Sequence, residues 1–163
     1  MEQRTRTHSW ADPVALATEA LARSGLDFMQ AMARGELPPP PVSSLIGMDG
    51  LQAEEGEVVF ACTPAEWMYN PIGSVHGGIA LTLLDSAMGC AVHTTCPAGT
   101  GYTSLELKLN FVRPMSAGTG RVLATGTVVH RGRRMATAEG RLTAQDGGKL
   151  LAHATTTCLI LAP

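Results

Sequence analysis

Asn70-Pro-Ile-Gly-Ser-Val-His-Gly-Gly-Ile-Ala-Leu-Thr-Leu-Leu-Asp85 is the stretch on which the fold turns. It begins with turn residues (Asn70, Pro71, Gly73, Ser74) and runs through paired glycines into a long apolar segment. From residue 79 to 93, Ile79, Ala80, Leu81, Leu83, Leu84, Ala87, Met88, Ala91 and Val92 cover most of a helix circumference. A helix so apolar belongs in a core. Thr82, Asp85, Ser86, Gly89 and His93 nevertheless recur at helical spacing as a polar or small stripe. A carboxylate on such a helix is costly to bury unless something pairs with it or uses it.

On the C-terminal side of Cys96-Pro97 the period changes. Leu105, Leu107, Leu109 and Phe111 alternate with Glu106, Lys108 and Asn110, which predicts a half-buried strand. Three more strands are expected over residues 121–130, 134–145 and 149–161. Their turns are Arg131-Gly132-Arg133 and Asp146-Gly147-Gly148, the latter a hairpin signal. On the N-terminal side, residues 44–54 and 57–63 read as two strands around Glu55-Gly56. The prolines of residues 38–41 make a stiff extended connector. Asp12-Pro13 predicts a helix over residues 13–24 that stops at Gly25, with a second helical piece over 26–34. Residues 1–9 read as a disordered lead. The fold class is therefore α+β, antiparallel strands curling around one hydrophobic helix. We expect a helical segment and proline connector over residues 1–41, and the main domain over 42–163.

The chain's 163 residues suffice for one domain with a sizeable core. A net charge of -2 argues against general nucleic-acid binding. Charged residues are only 16% of the chain, which suggests surface covered by other subunits. The four cysteines, Cys62, Cys90, Cys96 and Cys158, have neither zinc-type spacing nor a C-x-x-C pair. They read as reduced thiols. The N-terminus lacks the apolar run of a signal peptide, and the helix carrying Asp85 is too short to span a bilayer. The expected location is the cytoplasm.

Chemistry is best sought where the glycines meet the helix. First-turn N–H groups have no intrahelical partner and lie at the positive end of the dipole. A glycine there lets a substrate carbonyl come close, as an oxyanion hole requires, or merely permits a tight turn. Asp85, two turns on, is a candidate general base or nucleophile, or else a structural carboxylate paired with an arginine or at a subunit interface. His76 could be catalytic, although a histidine at a helix start more often bonds to the preceding loop. Asn70 could donate to a carbonyl oxygen or simply form a turn. Ser104 could orient a water from the polar face of its strand. Arg131, Arg133 and Arg134 cluster at a turn, either as a solvated run or as a phosphate site. His93, His130 and His153 are too dispersed to suggest a metal site.

The ordered set Asn70, Gly73, His76-Gly77-Gly78 and Asp85, with Ser104 ten residues before Pro114, resembles the hotdog-fold acyl-CoA thioesterases of the phenylacetic-acid-degradation type. The similarity covers roughly residues 42–161. It implies a sheet wrapped around the central helix, and dimers, or dimers of dimers, with a site shared between subunits. In that reading the Gly77 N–H polarises the thioester carbonyl, with Gly78 beside it. Asp85 acts as nucleophile or base, Asn70 assists at the carbonyl, and Ser104 positions Asp85 or the water. The arginine turn would hold coenzyme A phosphates. No cofactor is expected, coenzyme A entering only as part of the substrate. The alternatives are a hydratase or dehydratase of the same fold, in which a histidine and a carboxylate would cooperate, and a non-catalytic acyl-CoA sensor, which would not need Asp85.

Overall fold

The computed structural model describes residues 2–161. Helices α1 (Pro13–Ala22), α2 (Gly25–Ala33) and the short α3 (Pro41–Ile46) lead into strands β1 (Met48–Glu54) and β2 (Glu57–Cys62). The long helix α4 (Gly77–Thr94) follows. Strands β3 (Gly101–Phe111), β4 (Val122–Arg131), β5 (Met135–Ala144) and β6 (Leu150–Leu161) complete the chain. All six strands form one antiparallel sheet in the order β1-β2-β4-β5-β6-β3, curved around α4. This is the hotdog arrangement. Strand β3 returns across the far side of the sheet and is left as an edge.

The sheet's inner face is built from small side chains, among them Ala124, Ala136, Ala138, Ala152 and Ala154, all buried. Leu83, Leu84, Ala87, Met88, Ala91 and Val92 of α4 fill the space above them. The closest approach is at Gly126 on β4. A Cβ there would lie 2.3 Å from the Ala87 carbonyl carbon and 2.5 Å from the Met88 nitrogen. Backbone meets backbone at that point, and only glycine fits.

Four sequence expectations change. Pro41 does not end an extended connector: it starts α3, where its fixed φ suits a first turn, and Gly47 closes the helix at φ 71°. Only from Met48 is the chain a strand. Gly25 does not stop a helix but begins α2, capped by the Ser24 hydroxyl. It is a glycine because a Cβ would sit 1.8 Å from the His93 carbonyl oxygen. The N-terminal lead lacks regular structure yet is tied down. Arg6 donates to the Ser44 and Leu45 carbonyls and stacks 3.7 Å from the centre of the Trp67 ring, while Arg4 pairs with Glu66. Finally, a bulge between Ser104 and Glu106 shifts the phase of β3. Leu107 and Leu109 remain half-buried, but Leu105 and Phe111 are exposed.

The contact at Gly126 sets the helix height, so Gly126→Ala should cost at least about 2 kcal/mol in urea unfolding through overpacking. The neighbouring outward-facing Thr127→Ala should cost less than about 1 kcal/mol. Equal midpoints for the two variants would contradict this packing.

Candidate active site

The loop before α4 is held from within by Asn70. Its Oδ1 accepts from the Ile72 and Ser74 N–H groups at 3.1 and 3.2 Å, and its Nδ2 donates to the Ser74 hydroxyl at 3.0 Å. Gly73 turns the chain at φ 84°, and Tyr69 and Val75 form an antiparallel bridge that closes the loop. The Val75 and His76 N–H groups donate to the carbonyls of Met115 and Met68. Asn70 therefore acts here on its own loop, and the product of that bracing is a fixed position for Gly77.

His76 is the N-cap of α4. Its Nδ1 accepts from the Gly78 N–H at 2.9 Å, which requires that nitrogen to be unprotonated. Its bond to the preceding loop is made by its backbone, and its side chain turns to the helix. The cap consumes the Gly78 donor. The Gly77 N–H, at the first helical position, bonds to nothing among the described residues. Phe111 lies over Gly77, and a Cβ there would stand 2.6 Å from the ring. Beside them is an open cleft of about 390 Å³ lined by Gly77, Phe111, Val112, Arg113 and Met115. Arg113 is anchored by a bond to the Leu150 carbonyl at 2.6 Å.

Asp85 is exposed in the single chain, contrary to the expectation of a buried carboxylate. The polar stripe divides: Asp85 faces out, Thr82 and Ser86 are half-buried, and Gly89 and His93 are inside. The Ser104 hydroxyl donates to Asp85 Oδ1 at 3.0 Å. That bond joins helix and strand and leaves Oδ2 open. Around the carboxylate the thiols are silent: burial pushes Cys90 up to about 11 and raises Cys158. Neither is a thiolate near neutral pH. Among the described residues no three of His, Cys, Asp and Glu gather as a metal-ligand set.

The arginines lie at the β4–β5 turn. Arg133 and Arg134 are exposed beside a cleft of about 300 Å³, without an ion pair among the described residues. Arg131 folds back onto the Gly132 carbonyl, its Nε buried and unpartnered. Ala136 pairs with Cys158 and Cys158 with Ser104. The turn thus shares the sheet end that carries Asp85, two strands or about 10 Å away. Sequence reasoning missed Tyr102, Phe111 and Arg113. The first two sit in strand positions that carry no local signal of a site, and Arg113 is a lone cation in a loop.

The fold is that of the hotdog enzymes of the thioester-hydrolase class. Residues 72–151 match the thioesterase superfamily. A phenylacetic acid degradation-related protein from Ralstonia eutropha JMP134 has 33% sequence identity and a TM-score of 0.71, over 80% of this chain and 98% of that one. Acyl-coenzyme A thioesterase 13 of Homo sapiens is 29% identical over 103 residues, 63% of this chain and 72% of that protein. A provisionally named esterase of Halobacterium salinarum is 32% identical over 101 residues, 59% of this chain and 65% of its own length. The chain belongs to the thioesterase superfamily.

The capping role of His76 has a direct test. His76→Ala should lose about 1 kcal/mol of stability, whereas His76→Asn, which restores a capping oxygen, should recover most of it. Urea unfolding of both variants decides; equal losses would contradict the cap.

Proposed function

We propose that this protein hydrolyses acyl-CoA thioesters to a carboxylic acid and coenzyme A. The observation that carries the reading is the 3.0 Å Ser104–Asp85 bond, which aims a solvent-facing carboxylate beside a helix whose first N–H is unused. Asp85 either takes a proton from water, whose oxygen then attacks the thioester carbon, or attacks that carbon itself. In both routes the carbonyl becomes an oxyanion, for which the Gly77 N–H at the positive helix end is the donor. The C–S bond breaks, the electron pair leaves with sulfur, and the thiolate is protonated to free coenzyme A. On the second route water cleaves the resulting mixed anhydride. A thiolate leaves readily, so the reading needs no further electrophile, and coenzyme A is substrate rather than cofactor.

One chain does not suffice. Gly77 and Asp85 are eight residues apart on one helix, about 12 Å of rise. No single carbonyl spans that distance. A two-fold axis passing near Leu81, midway between them, would bring Gly77 of one chain toward Asp85 of its partner. Leu81 is 44% exposed on a helix whose other large apolar side chains are mostly buried in the core. Leu105 and Phe111 on the unpaired β3 edge are exposed as well, the kind of long apolar edge that proteins cover. We read the working unit as a homodimer joined along β3 and α4, alone or paired into a tetramer.

Arg133 and Arg134 suit the nucleotide phosphates of coenzyme A, being unpaired, exposed and on the same sheet end as Asp85. Arg113, beside Gly77, is a second cation within reach of the substrate. The reduced cysteines fit a cytoplasmic location, and among the described residues no helix is long and apolar enough to cross a membrane. The hydratase alternative asks a histidine to work with a carboxylate on the acyl carbons, but His76 spends Nδ1 on its cap.

Release of free thiol from a panel of acyl-CoAs tests the reading. The wild type should liberate thiol, and Asp85→Asn, which keeps the shape and removes the charge, should lower turnover by roughly 10²–10⁴ without unfolding. A variant keeping more than about a third of wild-type turnover would refute the role of Asp85.

A further inference from the structure

Beyond the Asp85–Ser104 bond the space between α4 and β3 is closed. Tyr102 lies two residues before Ser104 on β3 and so shares its face of the strand, directed at the helix. Where Ser104 meets Asp85, Tyr102 covers Gly89, one turn further along α4. A Cβ on Gly89 would be 2.8 Å from the ring and 3.0 Å from the phenol oxygen. The phenol also reaches Cys90 Sγ at 3.9 Å.

The ring has support from behind. Its centre is 5.4 Å from the imidazole of His93, which in turn lies 5.7 Å from Phe28 of α2. Helix α2 is locked against that imidazole: Gly25 abuts the His93 carbonyl, and its N–H donates to the Cys96 carbonyl at 2.9 Å. Phe28, His93 and Tyr102 thus form an unbroken row from the N-terminal segment to that space. Tyr102 has no room to retreat.

We propose that Tyr102 is the floor of the acyl pocket, and that α2, acting through Phe28 and His93, fixes its depth. The proposal rests on the thioesterase reading above. In the two-chain site the cleft beside Gly77, Phe111 and Arg113 of one chain, which suits the bulky polar coenzyme, would open beside Asp85 of its partner. An acyl tail running on from that carboxylate, away from the cleft, passes Ser104 of the same chain as Asp85 and meets Tyr102 after about 6 Å, room for roughly four carbons. The enzyme is therefore selective for short or compact acyl groups. Tyr102 is a specificity residue that touches the tail, and His93 and Phe28 are positioning residues behind it.

The test is the chain-length profile of kcat/KM, measured by thiol release from acetyl- to dodecanoyl-CoA on the full-length protein. The wild type should fall off beyond about six carbons. Tyr102→Ala, which opens the space over Gly89 as far as His93, should raise the decanoyl-to-butyryl ratio at least tenfold. Tyr102→Phe keeps the ring and should keep the wild-type profile. If Tyr102→Ala fails to fold, Tyr102→Leu must shift the ratio in the same direction. A wild type that already prefers long chains overturns the proposal, as does a folded Tyr102→Ala or Tyr102→Leu whose profile is unchanged. A wild type that releases no thiol from any acyl-CoA overturns the activity reading beneath it.

Discussion

The structure depends on the backbone contact between α4 and β4 at Gly126. A helix can lie that low on a sheet only where the strand beneath it lacks a Cβ and the flanking residues are small. Here those are the alanines of β4, β5 and β6. Burial of a nearly continuous apolar helix stabilises the arrangement at about 25 cal/mol per Å² removed from water. The same contact fixes which part of the helix is left outside. With Leu83, Leu84, Ala87 and Met88 pinned inward, Leu81 and Asp85 have only the open side to occupy. The height of the helix also sets Asp85 within reach of Ser104 on the edge strand.

In the proposed dimer that open side is where two chains meet to share the site. The proposed oxyanion donor, Gly77, and the proposed catalytic carboxylate, Asp85, lie on one rigid helix, too far apart to act on a single carbonyl. In the proposed dimer, symmetry would convert the separation into an asset, because a two-fold axis between them would supply each donor with a partner's carboxylate. The features a single chain leaves uncovered, Leu81 on the helix and Leu105 and Phe111 on the β3 edge, are those that a second copy would cover. Stability and catalysis are in this view served by one interface.

The sequence made the scaffold legible because its periodicities are strong. The uninterrupted apolar run of α4 and the alternation from β4 to β6 follow from burial of one helix by one face of a sheet. The glycine pair and Asp85 stand out in the sequence as a candidate site because their chemistry is local: a helix start and a carboxylate at helical spacing. What stayed hidden depends on contacts distant in sequence. Leu105 faces outward because the bulge falls at Leu105 itself, where its strand's pattern begins, and a bulge has no composition of its own. Gly25 looked like a helix stop because glycine commonly is one. Its reason is the His93 carbonyl nearly seventy residues away, 1.8 Å from where its Cβ would stand. Tyr102 reads in sequence as an ordinary strand tyrosine, and only the fold brings it over Gly89. The exposure of Asp85 was misread for a related reason: the helix is buried on most of its circumference, and composition does not say which stripe meets a partner.

The central claim is that the reacting groups come from two chains, and complementation between damaged subunits tests it most directly. Asp85→Asn and Asn70→Ala homodimers should each be weak, since every site carries one lesion, the second loosening the loop that positions Gly77. When the two chains are coexpressed and pair at random, about half the dimers are mixed, and each mixed dimer has one site with both lesions and one with none. The purified mixture should then recover about a quarter of wild-type specific activity. If the site lay within a single chain, every site would stay damaged, and a mixture no more active than its parents would contradict the account.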